Sequence, residues 1–271
     1  MDLSMIDEYF GSPPQQGLQR RAAAMWALLQ DDPAYCCHGR AVGVTDPSPE
    51  TIAQQIALAR LQGVAACEGI STKDAPARRA ALEAAGLTID EYVGWVGGAK
   101  AIQAARDVLD SRSLPAGLTI GQVDEQTPTE VLDQLDRVTA SCEVLLPMGQ
   151  FLRGVARPAV CVYAQTADGQ VVAASAAVAQ FHPASSRGRD FWWGMLATDE
   201  RCRGQGLAIL LGAESMVRMV ESHGMTGLFT GIRAGNAPSE RLCTKLGLEA
   251  SDRIILISIA PEVFAQASVT K

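Results

Sequence analysis

The stretch Arg201-Cys202-Arg203-Gly204-Gln205-Gly206 joins an apolar strand pattern to an apolar helix pattern. The strand pattern covers Asp190–Thr198, and helical spacing of leucine, alanine and valine follows over residues 204–222. Glycine allows a tight turn and lets an anion approach the backbone, because it has no Cβ. The first amides of a helix lack partners within it, and the helix dipole adds partial positive charge there. The loop is therefore predicted to bind a pyrophosphate.

Two other phosphate-binding loops do not fit this sequence. No Gly-Lys-Ser or Gly-Lys-Thr follows the glycines, so the loop is not a P-loop. Asp168-Gly169 predicts a hairpin ahead of the loop, whereas a dinucleotide-binding fold needs a βαβ unit there. Close packing of strand against helix is the structural alternative for the glycines.

A second motif, residues 236–247, begins 30 residues after Gly206 (236 − 206 = 30) and reads Asn-Ala-Pro-Ser-Glu-Arg-Leu-Cys-Thr-Lys-Leu-Gly. Asn236 suits the N-cap of a helix, and a proline is tolerated in the first turn. Asn236, Ser239 and Cys243 have the spacing of one helix face. An ordinary capped amphipathic helix explains this motif equally well when it is taken alone.

Together, the two motifs resemble the GNAT superfamily of acyl-CoA-dependent N-acyltransferases. The matching patterns are Leu196-Ala197-Thr198-x-x-x-x-Arg203-Gly204-x-Gly206 and Asn236-x-x-Ser239-x-x-Leu242-x-x-Lys245-Leu246-Gly247. The resemblance covers about residues 117–260. It implies an α/β fold (an α+β mixed sheet of GNAT type), with a GNAT acetyltransferase domain over residues 116–271.

The resemblance also implies acetyl-CoA as co-substrate, with no metal. Backbone amides of the loop would hold the pyrophosphate, while main-chain groups of two strand residues and the Asn236 side chain would hold the pantetheine arm. The thioester would lie where the strand Asp190–Thr198 splays from residues 228–232. The implied cofactor-binding residues are Leu196, Thr198, Arg203, Gly204, Gln205, Gly206, Leu207, Ala208, Asn236 and Ser239.

The residues that would move protons are less well marked. The family's tyrosine, often proposed to protonate the departing thiolate, is replaced by Cys243. A thiol can donate a proton, but this side chain is shorter, and a small packing residue is the alternative interpretation. The strand before the loop lacks the glutamate that many family members place there. Glu143, His182 and Asp190 remain as candidate bases.

Residues 1–115 have a mostly helical pattern that ends in the breaker sequence Ser-Arg-Ser-Leu-Pro-Ala-Gly at 111–117. The intervals 63–86 and 224–247 have equal length (86 − 63 = 247 − 224 = 23). Both contain a short strand, an Ala-Pro pair, a helix and Gly-Leu. The N-terminal region is therefore interpreted as a degenerate GNAT-like half without the glycine loop, which would shape the acceptor site, or as a coincidence of composition.

The net charge of −7, without a basic cluster, argues against nucleic acid as a partner. The seven cysteines include no Cys-x-x-Cys pair, and the N-terminus lacks the pattern of a signal peptide. We therefore expect a cytoplasmic protein without membrane association, with a homodimer left open. The predicted function is acetyl transfer to the amine of a small molecule or amino acid. The alternatives are a non-catalytic acyl-CoA sensor, an acetyltransferase for protein N-termini or lysines, and a helical interaction protein.

Overall fold

The computed structural model describes residues 8–266, 268 and 269, which form ten strands and eight α-helices. The helices are α1 Pro13–Leu29, α2 Ile52–Gln62, α3 Ala75–Ala84, α4 Ala99–Ser111, α5 Thr129–Ser141, α6 Gly149–Leu152, α7 Leu207–His223 and α8 Ala237–Lys245. The strands are β1 Tyr35–Cys37, β2 Val42–Val44, β3 Val64–Ser71, β4 Thr88–Gly97, β5 Leu118–Gln122, β6 Ala159–Thr166, β7 Val171–Val178, β8 Asp190–Thr198, β9 Gly227–Ile232 and β10 Glu249–Ile259.

All ten strands belong to one sheet, in the order β1-β2-β3-β10-β4-β9-β8-β7-β6-β5. The edge strand β1 also forms hydrogen bonds with the residues that follow β7. Cys36 forms an antiparallel bridge with Phe181, and the Cys37 amide donates to the Gln180 carbonyl at 3.1 Å. β1 is thus hydrogen-bonded both to β2 and to the segment that follows β7.

The strand order is symmetric about the pair β10-β4 for three strands on each side, and β6 and β5 continue the sheet beyond β7. Each half contains one parallel pair, β2 with β3 and β8 with β9. β10, from the C-terminal half, is inserted between β3 and β4, while β4, from the N-terminal half, is inserted between β10 and β9. Each half therefore contributes a strand that satisfies the backbone hydrogen bonds of the other.

Two apolar clusters cover the two faces of the sheet. Helices α4, α7 and α8 contribute to one cluster, and α1, α2, α3 and α5 contribute to the other. Side chains alternate between the faces of a strand, so the neighbours Trp192 and Trp193 belong to different clusters. The Trp193 indole donates to the Gly212 carbonyl of α7 at 3.1 Å, which fixes that helix against β8.

In the C-terminal half, the pattern of apolar residues and turn residues after residue 117 predicts the order β-α-α-β-β-β-α-β-α-β, and the α-helices and strands of the structure follow that order. Apolar spacing predicts that the second of these helices covers residues 143–152, and this prediction is wrong in extent, since only Gly149–Leu152 is helical. Glu143 has a φ of 59°, and Pro147 disfavours helical geometry at the preceding residue. Residues 143–148 therefore form an irregular connection.

The N-terminal half contains the expected helices and also supplies four strands. The connection between β2 and α2 has the same place in the N-terminal half as the glycine loop between β8 and α7 has in the C-terminal half. It lies around the guanidinium of Arg78 from α3. Arg78 Nη2 donates to the Ser48 carbonyl at 3.0 Å and to Thr51 Oγ1, and Nη1 donates to Gln55 Oε1 at 3.0 Å. The loop between β2 and α2 thus binds a side chain of the protein itself.

We expect Arg78→Leu to lower the free energy of unfolding by about 2–4 kcal/mol, because it leaves buried acceptors unpaired. Urea unfolding followed by circular dichroism measures this loss. Arg79→Leu is the matched control, since Arg79 forms a partly exposed ion pair with Glu91 and is expected to cost less than about 1 kcal/mol. Equal losses for the two variants would contradict a structural role specific to Arg78.

Candidate functional site

The loop between β8 and α7 has left-handed backbone geometry at two glycines. Gly204 has a φ of 78° and Gly206 a φ of 80°, values that other residues adopt only with strain. Gly206 is the N-cap of α7, and Leu210 is the first residue of the helix whose amide bonds back to it, at 3.1 Å. The glycines therefore position the start of α7 with its first turn of amides open.

The backbone amides of this loop are available to a ligand. In the described part of the chain, none of the six amides from residue 204 to residue 209 donates to a protein acceptor. Consecutive open amides at the start of a 17-residue helix are the arrangement that binds phosphate groups.

Four cationic side chains line the cavity of about 560 Å³ above this loop: Arg112, Arg203, Arg241 and Lys245. The sequence did not indicate Arg112, which follows α4 directly. Its Nη1 would lie 3.4 Å from a Cβ placed on Gly206, so its charge is adjacent to the open amides. The cations and the amides together give the cavity the character of a site for a polyanion.

Next to this cavity the sheet splays. β8 and β9 are described throughout, and they pair only over residues 190–192 and 227–229. Past that point β8 contains a bulge, where Met195 and Leu196 lie opposite the single residue Ser175 of β7. Met195 has a φ of 57°, which is strained for a residue with a side chain. The bulge turns the β8 backbone, and Met195 and Leu196 both line the space between the strands.

This space is an inner cavity of about 250 Å³. The N-terminal half contributes His38, Arg40, Glu68 and Tyr92 to its lining. The C-terminal half contributes Trp192, Met195, Leu196, Thr230, Asn236, Ser239 and Cys243. The inner cavity adjoins the outer one along β8 and α8, where Leu196 and Cys243 face the inner space and Thr198 and Leu242 the outer one.

All ten residues predicted to bind the cofactor line these two cavities. Leu196, Asn236 and Ser239 line the inner cavity, and the others line the outer one. The Asn236 side chain also caps α8 by accepting from the Ser239 amide at 3.3 Å. The Thr198 carbonyl already accepts hydrogen bonds from Arg203 Nε at 3.3 Å and Cys142 Sγ at 3.5 Å, so it is less available to a ligand than the resemblance implied. The individual roles stay predictions.

Of the four candidate catalytic residues, only Cys243 lines the inner cavity. Glu143 is exposed and lines a separate cavity. His182 accepts from the Ala184 amide through Nδ1 at 3.1 Å, and Asp190 pairs with Arg187 at 3.2 Å. These three residues do not line the inner cavity, so the fold does not bring them together with Cys243.

Cys243 is 2% exposed, and burial raises the pKa of its thiol to about 12. A thiol this weak as an acid neither forms a nucleophilic thiolate at neutral pH nor readily protonates another thiolate. This geometry favours the interpretation of Cys243 as a packing residue.

For the acyl transfer that the resemblance implies, Cys243→Ala is expected to change the rate by less than about threefold, because the thiol takes no part in proton transfer. Steady-state kinetics with saturating acetyl-CoA measures this effect. A loss of about 30-fold or more, with acetyl-CoA affinity unchanged, would restore Cys243 as a catalytic acid.

Glu68 was missed by the sequence reasoning, and it is the only carboxylate among the described residues that line the inner cavity. It is 5% exposed and accepts from Gln180 Nε2 at 2.8 Å. Burial raises its pKa to about 7, while the charge of Arg187 and the Gln180 hydrogen bond act in the opposite direction. The sequence signal that could have indicated Glu68 is its position as a lone carboxylate among the small and apolar residues of β3.

Two solved structures with TM-scores above 0.5 support the fold. A Drosophila malonogaster protein has a TM-score of 0.55 and 15% identity, over 92% of this chain and 89% of that one. A tandem GNAT protein from the clavulanic acid biosynthesis pathway has a TM-score of 0.51 and 18% identity, over 77% of this chain and 67% of that one. A GCN5-related N-acetyltransferase from Kribbella flavida has a TM-score of 0.49 and 19% identity, over 81% and 77%. No family model and no curated protein matches the sequence.

The chain has the GNAT fold, as the two sequence motifs predicted. At these identities the likeness shows the fold alone. The symmetric strand order of this chain agrees with a tandem arrangement of two GNAT-like halves. Among the described residues, every helix is too short or too polar to cross a bilayer.

Proposed function

We propose that this protein is an acyl-CoA-dependent N-acyltransferase that transfers an acetyl group from acetyl-CoA to the amine of a small molecule. The observation that carries this proposal is the row of six open amides at residues 204–209, beneath four cationic side chains and beside the splay of β8 and β9. A diphosphate suits the amides and cations, and an extended arm suits the path along β8 into the inner cavity.

When bound, acetyl-CoA supplies the activated acyl group, and residues of this chain supply charge stabilisation and proton transfer. A backbone amide of the bulge at Met195 and Leu196 is the proposed donor to the negative charge that develops on the carbonyl oxygen. Glu68 is the proposed base that accepts the proton of the amine, because its pKa of about 7 leaves a substantial carboxylate fraction at neutral pH. The CoA group is proposed to leave as the thiolate and to take its proton from bulk solvent afterwards, so no protein acid is required and the weakly acidic Cys243 has no part in the step.

We also propose a division of labour between residues 1–115 and residues 116–271. The glycine loop and the splayed strands that receive the donor lie in the second region. The first region supplies His38, Arg40, Glu68 and Tyr92 to the inner cavity, which supports a role in binding the acceptor. The inner volume of about 250 Å³ favours a small acceptor over a protein chain.

Isothermal titration with acetyl-CoA, followed by a thiol-release assay over a panel of amines, tests the proposal. We expect binding together with turnover of at least one amine. Binding without turnover on any amine would support the non-catalytic sensor instead, for which the replacement of the family's tyrosine by Cys243 is the favouring observation. An absence of binding would overturn both functions.

A further inference from the structure

Arg40 is a buried cation without a counter-ion in the described part of the chain. It is 9% exposed and lines the inner cavity. Its Nε donates to the Leu145 carbonyl at 2.7 Å, whereas Nη1 and Nη2 have no acceptor in the described residues, and Nη2 is fully buried. Burial lowers the pKa of Arg40 to about 10, so the guanidinium is still charged at neutral pH. An unpaired buried charge is costly, and a ligand anion would offset that cost.

The guanidinium is held in a fixed orientation. It lies over the Trp192 ring, with Cζ 4.8 Å from the ring centroid, and the Leu145 carbonyl holds the Nε edge. His38 stacks on the same indole at 4.9 Å. Burial and the charge of Arg40 lower the pKa of His38 to about 3, so the imidazole is neutral and adds no second charge. A preorganised planar fork of this kind suits a carboxylate.

We infer that Arg40 binds a carboxylate carried by the acceptor, so that the substrate class is an amino acid or a similar amine that also bears a carboxylate. This inference rests on the proposed function. The donor enters from the outer cavity and ends near the bulge at Met195. The Arg40 guanidinium lies over the ring of Trp192, which precedes Met195 by three residues in β8. At the rise of a strand, the two residues are roughly 10 Å apart. An acetyl group is too short to span that distance, so the anion belongs to the acceptor.

Wild-type enzyme with acetyl-CoA and matched pairs of acceptors tests the inference directly. Each pair consists of an amino acid and its carboxamide, and the panel includes both α-amino and ω-amino acids. Hydrogen bonds to a charged group predict that kcat/KM is about 10- to 100-fold higher for the acid than for the amide. This comparison needs no variant, so it holds even where a substitution disturbs folding.

Arg40→Met is expected to remove this preference. The acids lose about 10- to 100-fold in kcat/KM, and the amides change by less than about threefold. Arg157→Met is the matched control, because Arg157 also lies over an indole, that of Trp26 at 4.9 Å, and also has a buried nitrogen without a partner. Arg157 does not line the inner cavity, so the preference for acids is expected to persist in that variant.

Three outcomes would overturn the inference while leaving the proposed function intact. They are amides that react as fast as acids, a panel in which only amines without a carboxylate react, and a preference of wild type for succinyl-CoA over acetyl-CoA that Arg40→Met abolishes. The last result would place the carboxylate on the donor. Failure of wild type to bind acetyl-CoA in a titration would instead overturn the proposed function itself.

Discussion

Replacing Gly204 and Gly206 together by glutamate is expected to weaken acetyl-CoA binding by at least about 10²-fold. Two carboxylates would then stand where the open amides and four cations receive phosphate. A like charge within about 4 Å costs several kcal/mol at the effective dielectric of a protein surface, and about 1.4 kcal/mol is a factor of ten in affinity. Glutamate also strains both positions, whose φ values are 78° and 80°. Isothermal titration with acetyl-CoA measures the loss.

Gly169→Glu provides the control for strain and added charge. Gly169 has a φ of 80° in the turn between β6 and β7, and a Cβ there would meet nothing within 4 Å, as at Gly204. The control therefore reproduces the unfavourable backbone geometry and one added carboxylate away from both cavities. Unchanged affinity in the double variant would remove the phosphate site and the cofactor assignment with it. Equal losses in the control would show that the effect is general destabilisation.

The local elements could be predicted because their signals are local. The apolar run before the turn signal Asp168-Gly169 predicts a strand over residues 159–166, and β6 spans Ala159–Thr166. The strand–loop–helix unit around Gly204 was found because the glycines stand where a strand pattern gives way to a helix pattern. The helix predicted over residues 143–148 is wrong because the apolar spacing was not the deciding signal there. Pro147 and the positive φ of Glu143 exclude helical geometry.

The inner cavity could not be predicted, because it depends on pairing between distant parts of the chain. β4 and β10 exchange places between the halves, which brings Tyr92 and Glu68 to the same space as Met195. Hydrophobic patterns specify which face of a strand is buried, but they do not specify which strand is its neighbour. The equal intervals 63–86 and 224–247 were the one sequence signal of the symmetry, and they correspond to the units β3–α3 and β9–α8.

Glu68→Gln is expected to lower kcat/KM by roughly 10²-fold at pH 8, the usual contribution of a general base. Glutamine keeps the size and removes the proton acceptor. In the wild type, burial raises the pKa of Glu68 to about 7, so activity is expected to fall as the pH drops below 7 and the carboxylate becomes protonated. That acidic limb should be absent from the pH profile of the variant. Glu143→Gln is the comparison, because Glu143 does not line the inner cavity, and its rate is expected to stay within about twofold.

A stability measurement separates a base from a structural residue. The pKa of Glu68 in the folded protein, about 7, lies above the ordinary glutamate value of 4.5, so the folded state binds more protons than the unfolded state between these pH values. The free energy of unfolding therefore declines as the pH rises from about 4.5 to 7, and the ionised carboxylate destabilises the fold at pH 8. Glutamine carries no charge and therefore avoids this destabilisation. The groups that interact with the position are Gln180, Arg187, Cys36 and Cys67, and none of them is a second base. Glu68→Gln is thus expected to have a higher Tm than wild type at pH 8 while losing activity. A variant that loses activity only together with Tm would instead assign Glu68 to folding, and one that keeps the acidic limb would move the base elsewhere.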